Sequence, residues 1–245
     1  MSKNTRLFNL LDGFNGAKET KGKSKEQNLI ESFEQIAKEM IYGGYIRVRN
    51  EYAIFISKVE FYYHEEEEVQ GKRLTDDIVY HRDGRFLKRK VPYFPIMTLH
   101  SHWSGFDIAF EKESGHYRAS ALIRQYAVLD LKERMFIELK TSGSIAEASD
   151  NEEKFRPVGE VRLQPTPVID VRSTYLQYYL NGFSMNGEGS KVEWHDIEKP
   201  EYFKVKNGIR KNAPGPQWGF VFNDKDEYEA YIRRVKDYIK LKADF

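Results

Sequence analysis

The sequence predicts an α+β fold: a single domain with a curved, mainly antiparallel β-sheet flanked by helices. Three observations lead there. Apolar residues recur at helical spacing near both ends, over 29–40 and 228–239, and alternate with polar residues in short runs between them. Gly, Asn and Ser turn signals separate those runs. No internal repeat or clear boundary divides the 245 residues, which suffice for one full core.

Residues 1–24, rich in Gly, Lys, Asn and Thr, read as a flexible basic N-terminal arm ahead of a domain spanning 25–245. Ser24 is placed to cap a helix, with Gln27 completing a capping box. Leu29, Ile30, Phe33, Ile36, Ala37 and Met40 form its apolar stripe, and Gly43-Gly44 stops it. Runs 45–49 and 53–63 read as a hairpin around Asn50-Glu51, sending Ile46, Val48, Ile54, Ile56 and Phe61 into the core. The acidic run 65–68 opens a polar loop to about residue 77 and is expected to be solvated, without chemistry. Strands are expected over 96–99, 106–111, 117–126 and 134–138, with turns at Ser104-Gly105 and Ser114-Gly115. Small polar residues over 142–153 predict a loop, and Ser173 could cap a short helix carrying Tyr175, Leu176, Tyr179 and Leu180. Trp194 begins another short element, and 213–216 is a rigid turn leading into a strand over 218–222. Asp224, with Glu227 three residues on, caps a last helix with the stripe Tyr228, Tyr231, Ile232, Val235, Tyr238 and Ile239.

Composition narrows the chemistry. The chain has no cysteine, which excludes disulfides, thiolate catalysis and Cys-ligated zinc and fits a cytoplasmic setting. No apolar run reaches 18 residues, and residues 1–8 lack the apolar centre of a signal peptide, so no membrane partner is expected. A net charge of +1 advertises no nucleic acid by itself, so such a partner would have to be met by local patches. The stretch 82–90 offers one: Arg82, Arg85, Lys88, Arg89 and Lys90 against a single acid, suited to a phosphate backbone or to a soluble hairpin tip.

In a strand, alternate residues share a face, so Glu60 sits beside Tyr62, and His100 beside His102. A strand-borne carboxylate in a dry pocket can act as a general base on water. Tyr62 and His81 could wall a planar base, while Arg124 could pair with Glu60 or hold a phosphate. His100 and His102, with His81 and Glu111, could instead bind a metal and support a metal-dependent hydrolase or a metal-binding module. A binding protein without chemistry is the third class.

The order of these segments resembles the alkyladenine (3-methyladenine, or methylpurine) DNA glycosylase family. The likeness is carried by Met40-Ile41-Tyr42-Gly43-Gly44-Tyr45-Ile46-Arg47-Val48-Arg49, by Ile56-Ser57-Lys58-Val59-Glu60-Phe61-Tyr62 and by Asp76-Asp77-Ile78-Val79-Tyr80-His81-Arg82-Asp83-Gly84-Arg85. Residues 105–110 resemble the family's glycine-centred strand, and Ala121-Leu122-Ile123-Arg124 its Leu-Leu-Arg strand. Residues 208–211 and 217–220 resemble its two late segments, so that the likeness spans roughly 28–222. The resemblance implies the family fold and a monofunctional, metal-free and cofactor-free base-excision repair enzyme, expected to be a monomer. Such an enzyme flips an alkylated purine out of double-stranded DNA and hydrolyses its N-glycosidic bond. Position by position it implies Glu60 as the water-activating carboxylate, Arg124 as its positioning partner, and Tyr62 and His81 as the rings that sandwich the base. Departures from the family pattern are specific. Ser101 and Ser104 stand where family tyrosines occur, leaving Trp103 or His102 to supply a ring. Glu111 replaces the family's pocket Asn, the segment from Tyr62 to His81 is longer, and the overall charge is near neutral where the family is basic.

Overall fold

The computed structural model describes residues 4–68, 72–85, 90–102, 105–139, 161–164, 171–172, 185, 192–210 and 215–243. Its helices are α1 (Arg6–Gly13), α2 (Lys25–Lys38) and α3 (Lys225–Ala243). Among the described residues, eleven strands form one curled antiparallel sheet, a half-barrel. They are β1 (Gly44–Val48), β2 (Tyr52–Glu65), β3 (Leu99–His102), β4 (Gly105–Ala109), β5 (Tyr117–Asp130), β6 (Met135–Leu139), β7 (Val161–Gln164), β8 (Val171–Arg172), β9 (Val192–Asp196), β10 (Val205–Gly208) and β11 (Gly219–Phe222).

β2 and β5, each 14 residues long, pair with one another and carry different neighbours on their two halves. β2 joins β1 through residues 52–54 and β11 through 58–60; β5 joins β4 through 120–123 and β6 through 128–130. The register slips twice at their middle. Ser57 is an extra residue on β2 and Arg124 an extra residue on β5, so the pair bends there. The main path across the sheet runs β10-β11-β2-β5-β4-β3.

One face of this path is apolar. Phe33 of α2 stacks on Phe61 at 4.4 Å, and Phe14, Tyr63, Phe110, Tyr117 and Trp218 complete an aromatic core around them. The capping box forms as expected: Gln27 N–H donates to Ser24 Oγ at 3.3 Å, and Ser24 N–H to Gln27 Oε1 at 2.9 Å. At the other end of the sequence, Glu227 N–H donates to Asp224 Oδ1 at 2.9 Å, and α3 is pinned to β2 by the Tyr228 hydroxyl on the Ile56 carbonyl at 2.9 Å.

Three expectations are corrected. Residues 5–17 are not a free arm. Thr5 caps α1, and Leu7 and Leu11 are fully buried, each contributing about 1.5–3 kcal/mol by leaving water. An eight-residue helix is not stable in isolation, so this packing holds it. Two hydrogen bonds fix the segment that follows: the Tyr117 hydroxyl to the Phe14 carbonyl at 2.8 Å, and Ala17 N–H to the Tyr63 hydroxyl at 2.9 Å. The acidic run is not wholly solvated either. Glu65 is 1% exposed, bound by Lys25 Nζ at 3.2 Å and by Leu74 N–H at 2.7 Å. The strand expected over 96–99 starts at Leu99. The predicted loop 142–153 and the helix after Ser173 lie outside the described residues. No helix among the described residues is long and apolar enough to cross a membrane.

Candidate functional site

The opposite face of the main path carries a buried polar layer. Directly paired residues of neighbouring strands point to the same side. The register therefore defines one row across six strands: Gly208–Gly219–Glu60–Leu122–Asp107–His100. The adjacent row holds Tyr62–Ser120–Ala109. Leu122 and Ala109 are buried yet stand apart from the main apolar core, because they form the floor of this second layer. Glu60 thus has only glycines beside it towards the β10 edge, and a Leu followed by an acid on the other side.

Glu60 is fully buried. Its Oε1 lies 3.5 Å from Arg124 Nε, and its Oε2 accepts from the Tyr62 hydroxyl at 3.3 Å. The bulge makes the first contact: as the extra residue on β5, Arg124 breaks the strand's alternation and is aimed at Glu60. Burial, then the neighbouring Glu60 and Asp107 carboxylates, push the Tyr62 phenol well above its ordinary value; Arg210 and Arg124 oppose that shift. The Tyr62 hydroxyl therefore stays protonated and donates.

Arg210 covers one face of Tyr62, with its guanidinium 4.7 Å from the ring centre. It is held there by Asp76 Oδ2 at 2.5 Å and by the Phe61 carbonyl at 3.2 Å. Tyr62 is accordingly half-sheathed, with one face taken by a cation.

His81 is buried, and its Nδ1 sits 2.6 Å from Glu111 Oε2. Glu111 Oε1 lies 3.2 Å from a guanidinium nitrogen of Arg118. His81 meets the Tyr80 ring edge-on at 4.8 Å and Phe94 at 5.6 Å, and Phe94 stacks on His100 at 3.8 Å. Burial first, then the nearby Asp107 carboxylate, raises the Tyr80 pKa far above the ordinary phenol value. Burial lowers the His100 pKa, against the opposing pull of Asp107. Asp107 stands between Leu122 and His100 in the row, and its charge acts on Tyr62, Tyr80 and His100.

Arg118 fastens the segment carrying Tyr80 and His81 to the sheet. Its fully buried guanidinium reaches Glu66 at 2.8 Å, Asp83 at 3.0 Å, Glu111 at 3.2 Å and the carbonyls of Pro92 and Val91. The Tyr93 ring lies over it at 3.6 Å.

The structure thus brings Glu60, Tyr62 and Arg124 of the sequence-based site together and links His81 to the same row through Phe94 and His100. Of the basic cluster, Arg82 pairs with Asp77 at 3.6 Å, Arg85 donates to the Asp77 carbonyl at 2.6 Å, and Lys90 is exposed. Lys88, Arg89 and Trp103 lie outside the described residues, as does the side chain of His102. Among the described residues no group of three metal-ligating side chains is brought together. Sequence reading missed Asp76, Asp107, Arg118 and Arg210. Asp107 had a local signal, an acid inside the otherwise apolar run Gly105-Phe106-Asp107-Ile108-Ala109-Phe110, whereas Asp76 and Arg210 lie in polar sequence. No protein-family model matches this chain, and no curated protein matches it.

Proposed function

We propose that the protein is a DNA glycosylase-like hydrolase that cleaves the N-glycosidic bond of a flipped, alkylated purine, with Glu60 activating the attacking water. The observation that carries this reading is the Glu60 constellation. A fully buried carboxylate contacts Arg124 and the Tyr62 hydroxyl, on the same sheet face as the ring-bearing segment of His81. Arg124 supplies a counter-charge in a dry setting and orients the acid. Glu60 then accepts a proton from water as oxygen attacks the anomeric carbon, while Tyr62 and His81 offer ring surfaces to the extruded base. A base must leave the duplex stack to reach such an enclosed acid, and a damaged base costs less to extrude.

The reading is tested by base release from duplex oligonucleotides carrying single alkylated purines, comparing the unmodified protein with Glu60→Gln. Loss of a general base predicts a rate about 10²–10⁴ lower, with duplex affinity retained. Absence of release by the unmodified protein from every lesion would refute the enzymatic reading. Salt-sensitive duplex binding without release would leave a DNA-binding protein of the same fold.

A further inference from the structure

Arg210 is a buried cation set against the Tyr62 ring, and the proposed water-activating machinery leaves it without a role. It follows β10, two residues after Gly208, the edge member of the Glu60 row. Its guanidinium lies 4.7 Å from the centre of the Tyr62 ring and 5.2 Å from that of Trp218. Two acceptors fix it through Nη1: Asp76 Oδ2 at 2.5 Å and the Phe61 carbonyl at 3.2 Å. Asp76 is held in turn, its N–H donating to His64 Nδ1 at 3.2 Å and its Oδ1 accepting from Ile78 N–H at 3.4 Å. Arg210 is 2% exposed and Trp218 is buried, whereas Tyr62 is only half-buried. The part of Tyr62 left open is therefore not the face that Arg210 covers.

The face of an aromatic ring is its negative side and attracts a cation lying over it. In Tyr62 that attraction is already engaged by a guanidinium that cannot move away. A cationic ring stacked on the open side would meet electron density drawn towards Arg210. It would also meet a like charge about 8 Å off, the 4.7 Å to Arg210 plus the roughly 3.5 Å of a stacked contact. A neutral ring stacks by contact area and feels that charge far less. Resting on the glycosidase reading above, we propose that Arg210 sets the substrate class, reserving Tyr62 for a neutral alkylated purine over one made cationic by alkylation at a ring nitrogen. Arg210 is a positioning residue in this assignment: it acts through the Tyr62 ring, and no bond to it changes in the reaction.

The test reads a ratio. Single-turnover base release is measured from duplexes carrying ethenoadenine (alkylated, neutral) or 7-methylguanine (alkylated, cationic), for the unmodified protein, Arg210→Met and Arg210→Lys. A cationic base leaves any DNA more readily, and that difference cancels when each variant's ratio is set against that of the unmodified protein. Arg210→Met is expected to raise 7-methylguanine release relative to ethenoadenine release by about 3- to 30-fold, the range of one cation–π contact regained at Tyr62. Arg210→Lys keeps a charge there, and its ratio is expected to stay within about twofold. Should Arg210→Met fail to fold with Asp76 left unpaired, the double variant Asp76→Asn/Arg210→Gln removes both charges together and is expected to move the ratio the same way. A purely structural Arg210 would lower both rates alike and leave the ratio fixed. That result overturns the assignment while leaving the glycosidase reading intact, and so does a ratio that moves as far in Arg210→Lys as in Arg210→Met. Release of 7-methylguanine only, by the unmodified protein, also overturns it. Release of neither base removes the underlying reading itself.

Discussion

Arg118 offers the clearest separation of structural from functional charge in this fold. Its guanidinium is fully buried and meets three carboxylates: Glu66 at 2.8 Å, Asp83 at 3.0 Å and Glu111 at 3.2 Å. Replacement by Met keeps much of the volume and removes the charge. Glu111, whose side chain is also fully buried, would then keep the Phe94 N–H and His81 at 2.6 Å but lose its guanidinium. Breaking one side of a buried ion pair costs about 3–5 kcal/mol, because the abandoned charge stays out of water. That is a large part of the roughly 5–15 kcal/mol that holds a typical domain together. Asp83 keeps more exposure and Glu66 somewhat less, so Glu111 is expected to dominate. Denaturant unfolding of Arg118→Met, Glu111→Gln and the double variant measures this directly. The double variant should lose less than the sum of the singles, with a coupling above about 1 kcal/mol. A loss below about 1 kcal/mol in Arg118→Met, or strict additivity, would refute the picture of Arg118 as the fastening of the 76–94 segment. Because Glu111 bridges Arg118 and His81, Arg118→Met should also displace the imidazole and slow any base release without touching Glu60.

Two further expectations concern acid sensitivity and backbone space. Burial lowers the His64 pKa below its ordinary 6.5, and its Nδ1 accepts the Asp76 N–H at 3.2 Å, a bond that protonation at that nitrogen breaks. The unfolded chain then takes up the proton first as pH falls. The His64 contribution is complete above 6.5 and is lost below it, at up to about 1.4 kcal/mol per pH unit, towards the depressed folded value. Thermal melts from pH 7.5 to 5 should show a shallower acid decline in His64→Gln; an unchanged slope would sink the assignment. At Gly44, a Cβ would approach the His195 carbonyl and the Trp194 ring, each at 2.5 Å. Gly44 is paired with Asp196 in the β1–β9 ladder, so neither side yields easily. Gly44→Ala is expected to cost about 1–3 kcal/mol, read as a lowered denaturation midpoint.

Local chemistry was legible in the sequence, and distant pairing was not. Ser24 with Gln27, Asp224 with Glu227, and the hairpin around Asn50 are short-range signals, and the structure places them as read. The shared face of Glu60 and Tyr62 follows from alternation alone. By contrast, Glu65 is solvated or buried depending on Lys25, 40 residues earlier, and Glu66 depending on Arg118, 52 residues later. Nothing local distinguishes a paired acid from a free one. The α1 stripe, Leu7 and Leu11, is one turn long and sits amid Gly- and Lys-rich sequence, so composition outweighed it. The bulge at Arg124 and the row joining Glu60 to Asp107 are properties of register. Register arises only when β2, β4 and β5 are laid side by side.

The ion pairs of the polar layer differ in tightness, and the difference bears on role. Arg210 reaches Asp76 at 2.5 Å, Arg118 reaches Glu66 at 2.8 Å, and each also holds backbone carbonyls. Glu60 lies 3.5 Å from Arg124 and 3.3 Å from the Tyr62 hydroxyl, longer than either. A buried polar group serving only cohesion is best held at short range, since a loose pair keeps the desolvation cost and forgoes part of the attraction. A catalytic carboxylate must instead be able to exchange a partner for water. The two roles predict opposite results for the isosteric Glu60→Gln. If Glu60 is a structural counter-charge, its loss strands Arg124 and lowers stability by about 3–5 kcal/mol, as at Arg118. If Glu60 is held in reserve for water, the amide still accepts from Tyr62, and Arg124, with 11% of its side chain exposed, retains a path to solvent. Unfolding free energy should then change by less than about 1.5 kcal/mol while base release falls by at least about 10². A large loss of stability with the release rate of the remaining folded protein unchanged would show that Glu60 only holds the sheet together.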